Sequence, residues 1–354
     1  MSSDRRRQVV VIGAGIVGAS LAYHLASSAA DVTIVEANGI ASGVTATSFA
    51  WINTTRTAPD PIALLRGAAI SDYHRLEAEV PGLHVRWTGA LSYPVDAGDA
   101  HAGERTGAET VVSRAHIRAL EPNLRHPPDH ALHAPEQGAL DAVQATHALI
   151  AAAQKHGATV LTDTKVLSFS THHAHVTGVQ TTAGWLPADV VVCAAGTGTA
   201  ALAQLLGITL PIKASPAIFI RYGVLPDVVR SIISSPAMEV RQAADGSLLA
   251  AEDYLDDTPD NAPAALALRA ATAIAQQLDG VAHLDAQQAC VGLRPIAADG
   301  LPIIGFAPGC TGLYVCTLHP GVALAAVVGR LAAGEILGGL PSPTLSPCRP
   351  ERFS

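Results

Sequence analysis

The chain has 354 residues, 49% of them hydrophobic, with 22 Lys+Arg against 30 Asp+Glu and a formal net charge of −8. That length carries a large core and suggests about two domains. The acidic balance, with Arg5-Arg6-Arg7 as its one basic run, argues against a nucleic-acid surface and for a small-molecule ligand. Cys193, Cys290, Cys310, Cys316 and Cys348 form no CxxC pair, and His172, His173 and His175 lie in a polar stretch without a ligand frame. Reduced thiols in a cytoplasmic protein, and no metal site, are the expectation.

In chain order, Gln8–Ile12 reads as a buried strand, residues 13–18 as a tight turn, Ile16–Ser27 as a helix and residues 31–36 as a second strand. Three arginines before an apolar run imitate an export signal. Here glycines at fixed spacing break the run, and it continues into a helix carrying Tyr23 and His24, as a nucleotide-binding turn requires. Residues 61–79 have helical spacing at Ile62, Leu65, Ala69 and Tyr73; residues 85–95 read as short strands and 113–120 as a short helix. A helix over 142–156, a strand over 158–161, a hairpin over 165–185 and a buried strand over 189–195 follow. Further strands between 218 and 251, an Ala-rich helix over 264–278, a strand over 312–317 and a helix over 321–337 complete the pattern. No stretch of about twenty uninterrupted apolar residues supports a membrane span.

The chemistry-bearing opening is Gly13-Ala14-Gly15-Ile16-Val17-Gly18, a GxGxxG directly after a strand and opening a helix. Gly13 permits the turn, Gly15 lets backbone approach a pyrophosphate, Gly18 allows close helix packing, and the helix N-terminus supplies amide donors. Glu36 closes the second strand, where an acid accepts both ribose hydroxyls. This motif does not separate NAD from FAD. The small-residue, hydroxyl-rich loop 39–53 suits close contact with a flat ligand, and Gly292-Leu293-Arg294-Pro295, Asp299-Gly300-Leu301-Pro302-Ile303-Ile304-Gly305 and Gly312-Leu313-Tyr314-Val315 follow near the other end.

Together these segments resemble the D-amino-acid oxidase superfamily of flavoproteins, which includes glycine oxidase and monomeric sarcosine oxidase, and the likeness spans the chain. The resemblance implies an α/β fold: a Rossmann-like FAD-binding domain from residues 1–80, 136–212 and 290–354, interleaved with a substrate domain (81–135 and 213–289) on a mostly antiparallel sheet. It implies that Gly13, Gly15, Ile16, Val17, Gly18, Glu36 and Ala37 hold the ADP half of FAD. Ser42, Gly43, Thr45, Thr47 and Ser48 line the pyrophosphate and isoalloxazine, Val166 meets the adenine, Ala195 and Gly196 lie beside the diphosphate, and His319, Pro320, Gly321 and Val322 aim a helix N-terminus at the flavin. Arg294, which also touches the cofactor region, is the expected anchor for a substrate carboxylate, with His319 and Tyr254 beside it and Glu252 or Asp253 favouring an amino group.

Departures from the family pattern carry expectations too. Gly292 stands where monomeric sarcosine oxidase has its flavin-linked cysteine, Cys290 is read as lying on the other phase of that strand, and loop 39–53 has no histidine, so FAD is expected to be noncovalent. The final loop reads Thr317-Leu318-His319-Pro320-Gly321 in place of the common Gly-His-Ser form. Lys155, Lys165 and Lys213 are the only lysines, and none follows Lys213 where sarcosine oxidase places one over the flavin, which leaves oxygen, a quinone or another carrier open as electron acceptor. The expected reaction is hydride transfer from a D-amino acid, glycine, N-methyl or cyclic imino acid to flavin N5, giving an imine. An FAD-dependent 2-hydroxy-acid dehydrogenase and a non-catalytic dinucleotide-binding subunit stay open as alternatives.

Overall fold

Val9, Val10, Val11 and Ile12 are all buried, because their strand is covered on both faces and so needs apolar side chains on both phases of the pleat. In the computed structural model, which describes residues 6–54, 56–57, 59–93, 105–106 and 109–354, this strand is central to a six-stranded sheet. The order is Thr159–Leu161, Asp31–Val35, Gln8–Ile12, Val190–Cys193, Leu313–Thr317, Ile303–Phe306. The first five strands are parallel and the last is antiparallel to its neighbour. One phase, with Val9, Val11, Ile34, Val192 and Tyr314, packs against the helices Ile16–Ser27, Ala63–Glu79, Ala142–Lys155 and Gly321–Gly338. The other, with Val10, Ile12, Val191 and Val315, packs against Val176 and Val179. Those two valines belong to a three-stranded meander, Val166–His172, His175–Thr181 and Gly184–Pro187, where a hairpin was expected.

A second sheet has eight strands in the order Ala286–Ala297, Ile212–Val224, Ser247–Asp253, Glu239–Gln242, Ile232–Ser234, Ala90–Ser92, His130–Ala134, Thr110–Ser113. All its pairings are antiparallel except Ile232–Ser234 with Ala90–Ser92. One face, with Ile218, Ile220, Val240 and Ala250, buries against the amphipathic helix Pro263–Gln277 through Leu266, Ala270 and Ile274. The other face looks toward the nucleotide-type sheet. Residues 213 and 290, the expected domain limits, fall inside the long paired strands Ile212–Val224 and Ala286–Ala297. The short strands expected over 85–95 are Val85–Arg86 and Ala90–Ser92, with Pro94 and Val95 outside the described residues, as is Arg5.

The helix Gly321–Gly338 is long and apolar enough to cross a membrane by length and composition. Val322, Leu324, Val327, Val328 and Ile336 are instead buried in the core. Among the described residues no cluster of His, Cys, Asp and Glu is arranged to hold a metal.

Candidate active site

The turn 13–18 is built from close approaches that only hydrogen fits. Gly13 has φ 106°, its N–H donates to Val35 O at 2.8 Å, and a Cβ on it would stand 2.5 Å from Ala194 O. A Cβ on Gly18 would stand 2.0 Å from Gly13 O, so Gly18 packs the helix onto the turn rather than facing a ligand. Thr45 Oγ1 accepts the Ile16 N–H at 3.1 Å and ties loop 39–53 to the helix N-terminus. Glu36, just past the end of its strand, accepts from Ala14 N–H at 2.8 Å through one oxygen and from Asn38 N–H at 2.9 Å through the other. Each carboxylate oxygen keeps a free lone pair, enough for two hydroxyls.

A cavity of ≈ 770 Å³ starts at this turn, at the carboxyl ends of the parallel strands, and extends to the face of the eight-stranded sheet. Its wall takes in Gly13, Gly15, Ile16 and Val17 at the turn, with Glu36, Ala37 and Val166 at the same end. It continues past Ser42, Gly43, Thr45, Thr47 and Ser48, and past Ala195 and Gly196. Arg294 stands on the sheet, and His319, Pro320, Gly321 and Val322 open the helix Gly321–Gly338. Two helix N-termini thus meet one cavity, a setting that favours anionic ligand groups. The glycine cradle, the carboxylate of Glu36 with spare acceptor capacity and the hydroxyl loop fit an extended dinucleotide.

Arg294 is half-buried, with Nη2 donating to Pro216 O at 3.2 Å and to Ser215 Oγ at 3.4 Å. Its Nε is buried with no hydrogen-bond partner, and among the described residues Arg294 forms no ion pair. An unpaired buried donor on a cation is costly unless a ligand completes it. Pairing puts Ser215 opposite Arg294, Ala217 opposite Gly292 and Phe219 opposite Cys290, so these six share one face. A Cβ on Gly292 would stand 2.5 Å from Thr47 Oγ1, so a larger residue there would displace that hydroxyl.

Tyr254 is a correction: it lies outside the cavity wall and packs against the core under the helix Pro263–Gln277, its hydroxyl donating to the Asp257 carboxylate. The reason is strand parity. Ala251 and Asp253 pair with Phe219 and Ala217 on the cavity face, whereas Glu252 pairs with Ile218 on the helix face. Cys290 is a second correction, since residues two apart share a phase and it lies on the face of Gly292. It does not line the cavity, and burial pushes its thiol pKa up against a smaller opposing effect of Gln288. The Asp299 segment is structural as well: its carboxylate pairs with Arg352 at 2.7 Å and accepts the Leu301 N–H at 3.1 Å in the turn before the edge strand.

Sequence reasoning missed Glu239 and Phe219, which also line the cavity, as do Trp51 and Asn53 of loop 39–53. Burial, before all else, pushes the Glu239 pKa above the usual carboxylate range; Asp253 and Glu252 add to the rise, while Ser234 and Arg294 work against it.

A glycine-cradled dinucleotide site on a parallel sheet, facing an antiparallel sheet that offers an unpaired guanidinium, defines a flavin-type oxidoreductase. Residues 8–335 match the family described as DAO, FAD dependent oxidoreductase, and the chain belongs to it. It is 27% identical to glycine oxidase of Pseudomonas putida, over 98% of this chain and 98% of that protein, and 27% identical to the uncharacterized oxidoreductase YurR of Bacillus subtilis, over 97% and 98%. Among solved structures it superposes on L-amino acid deaminase of Proteus vulgaris with a TM-score of 0.88 at 22% identity, covering 100% of this chain and 96% of that one.

Proposed function

We propose that this FAD-dependent oxidoreductase oxidises a small amine or amino acid to an imine that water then hydrolyses. The observation that carries this is Arg294 on the wall of the dinucleotide cavity, a guanidinium whose hydrogen-bonding capacity the protein leaves incomplete and whose fork is shaped for a substrate carboxylate. Glycine oxidase of Pseudomonas putida, similar over its whole length, supports the amine class. Bound FAD would take the hydride. The protein's part is positioning: Arg294 holds the carboxylate, Phe219, Ala217 and Ala251 exclude water, and the Gly321 helix N-terminus stabilises negative charge on the cofactor. The site residues given above, apart from Tyr254 and Glu252 and with Gly18 as a packing residue, and the two-domain division belong to this proposal. A panel of amines, amino acids and 2-hydroxy acids, scored anaerobically by flavin bleaching, tests it; bleaching by hydroxy acids alone would replace the amine reading.

FAD is held without a covalent bond in this reading. Acid or heat precipitation should release the flavin to the supernatant, and Cys290→Ser should retain wild-type flavin content. Flavin that stays with the pellet in the wild type and leaves it in Cys290→Ser would overturn this.

Oxygen is expected to be a slower acceptor than an artificial dye. The one lysine on the cavity wall among the described residues is Lys165, at the Glu36 and Val166 end; on the sheet stand the carboxylate of Glu239 and Arg294, the latter committed in this reading to the substrate carboxylate. A fixed positive charge favours electron transfer to oxygen, and a negative one opposes it. Stopped-flow mixing of substrate-reduced protein with air-saturated buffer checks this: reoxidation as fast as turnover contradicts it.

A further inference from the structure

Two carboxylates line the cavity among the described residues, Glu36 at the turn and Glu239 at the sheet. Their situations differ. Glu36 has two backbone N–H partners. Among the described residues Glu239 has only the Ser234 hydroxyl, which donates to it at 3.3 Å, and no ion pair. A carboxylate drawn from water into a largely apolar cavity, with one neutral hydrogen bond, is unfavourable unless a cation or further donors complete it. The raised pKa of Glu239 reports the same deficit.

Arg294 offsets part of this through space but makes no hydrogen bond or ion pair with Glu239 among the described residues. The two residues stand on strands three steps apart in the sheet, with Ile212–Val224 and Ser247–Asp253 between them. At about 4.8 Å per step that is on the order of 14 Å between the strands. By register Glu239 is level with Ala251, Phe219 and Cys290, so it is offset along the sheet from Arg294 as well. The carboxylate and α-amino group of one amino acid are separated by a single carbon, short against that backbone separation, whereas a cation on a methylene chain reaches further along the wall. Between the two charges the wall is Ala217, Phe219 and Ala251, an apolar floor suited to methylenes.

We propose that Glu239 is a specificity-determining residue that selects substrates with a second cationic centre, an ammonium or guanidinium carried on a methylene chain away from the carboxylate that Arg294 binds. This rests on the amine reading of the site and narrows it to amino acids with basic side chains. The chain lies across Ala217, Phe219 and Ala251, and the distal cation supplies the partner that Glu239 lacks.

The test uses the flavin-loaded full chain with an artificial dye. Steady-state kcat and KM are measured for both enantiomers of lysine, ornithine and arginine and of their neutral counterparts norleucine and methionine, in wild type and in Glu239→Gln, which keeps the side chain's size. The expected wild type favours the cationic set in kcat/KM by at least about tenfold, the size of one charge-assisted contact. Glu239→Gln should lose roughly 10–100-fold on that set, mainly through KM, and change little on the neutral set. Glu239→Asp should keep part of the preference. Equal efficiency on both sets in the wild type overturns the proposal whatever the variants do, as does an equal loss on both sets in Glu239→Gln. Turnover of neutral amino acids without cation preference defeats the role of Glu239 alone, whereas bleaching by 2-hydroxy acids alone defeats the amine reading with it.

Discussion

Replacing Arg294 with alanine is expected to lower kcat/KM for carboxylated substrates by about 30- to 1,000-fold while leaving flavin content unchanged. The range follows from losing a charge-assisted, two-point contact, on the order of 2–4 kcal/mol, at about 1.4 kcal/mol per factor of ten. Arg294 is suited to this because its Nη2 is already held by Pro216 O and Ser215 Oγ, so the guanidinium is oriented before substrate arrives. Arg294→Lys keeps the charge and loses the planar fork, so it should fall between alanine and wild type. An amine without a carboxylate should be turned over equally by all three proteins. If both variants match the wild type on its best carboxylated substrate, the anchor lies elsewhere and the amine reading loses its main support.

Elements formed by local pattern were legible in the sequence. The helix Ile16–Ser27 and the strand Gln8–Ile12 have their expected limits, because a covered parallel strand is a run of apolar residues and the glycine turn marks where it ends. The helix Pro263–Gln277 differs from its expected range by one residue at each end, since Pro263 can begin a helix and the apolar stripe Leu266, Ala270, Ile274 has the 3.6-residue period. The glycine cradle, Glu36 and Arg294 came from motifs whose spacing is itself local. What stayed hidden depends on pairing between distant strands. Glu239 begins a four-residue strand with no marked pattern, and it reaches the cavity only because Val240 pairs with Ala250 and Phe219 with Ala251. Tyr254 was misplaced for the same reason. A shift of one residue exchanges the two faces of a strand, and in the run Glu252-Asp253-Tyr254 the sequence holds no sign of which phase meets the helix. Asp299 was prominent in the motif yet serves a turn and an ion pair, so a signature segment marks the fold as readily as it marks the site.

Substituting alanine for Gly18 should cost the protein most of its flavin. The added methyl would stand 2.0 Å from Gly13 O, well inside contact distance and against backbone, not against a flexible side-chain tip. Gly13 has little room to yield, since its N–H is bonded to Val35 O and its own α-carbon faces Ala194 O. The helix Ile16–Ser27 must therefore move off the turn, which opens the cradle that Gly13, Gly15 and the tethering bond from Ile16 N–H to Thr45 Oγ1 define. Overpacking of this kind costs typically about 1–3 kcal/mol, which is roughly 5- to 140-fold in flavin affinity if the strain is relieved in the flavin-free protein. Gly334→Ala is the matched control, for that glycine is exposed within the helix Gly321–Gly338 and a Cβ there meets nothing within 4 Å. Alanine in an unobstructed helical position should be neutral or stabilising by about 0.4–1 kcal/mol. Flavin absorbance per polypeptide and thermal unfolding of the two variants provide the readout. A Gly18→Ala protein as yellow and as stable as Gly334→Ala would mean that the turn tolerates a side chain, and that close helix packing at residue 18 is not what holds the cofactor site together.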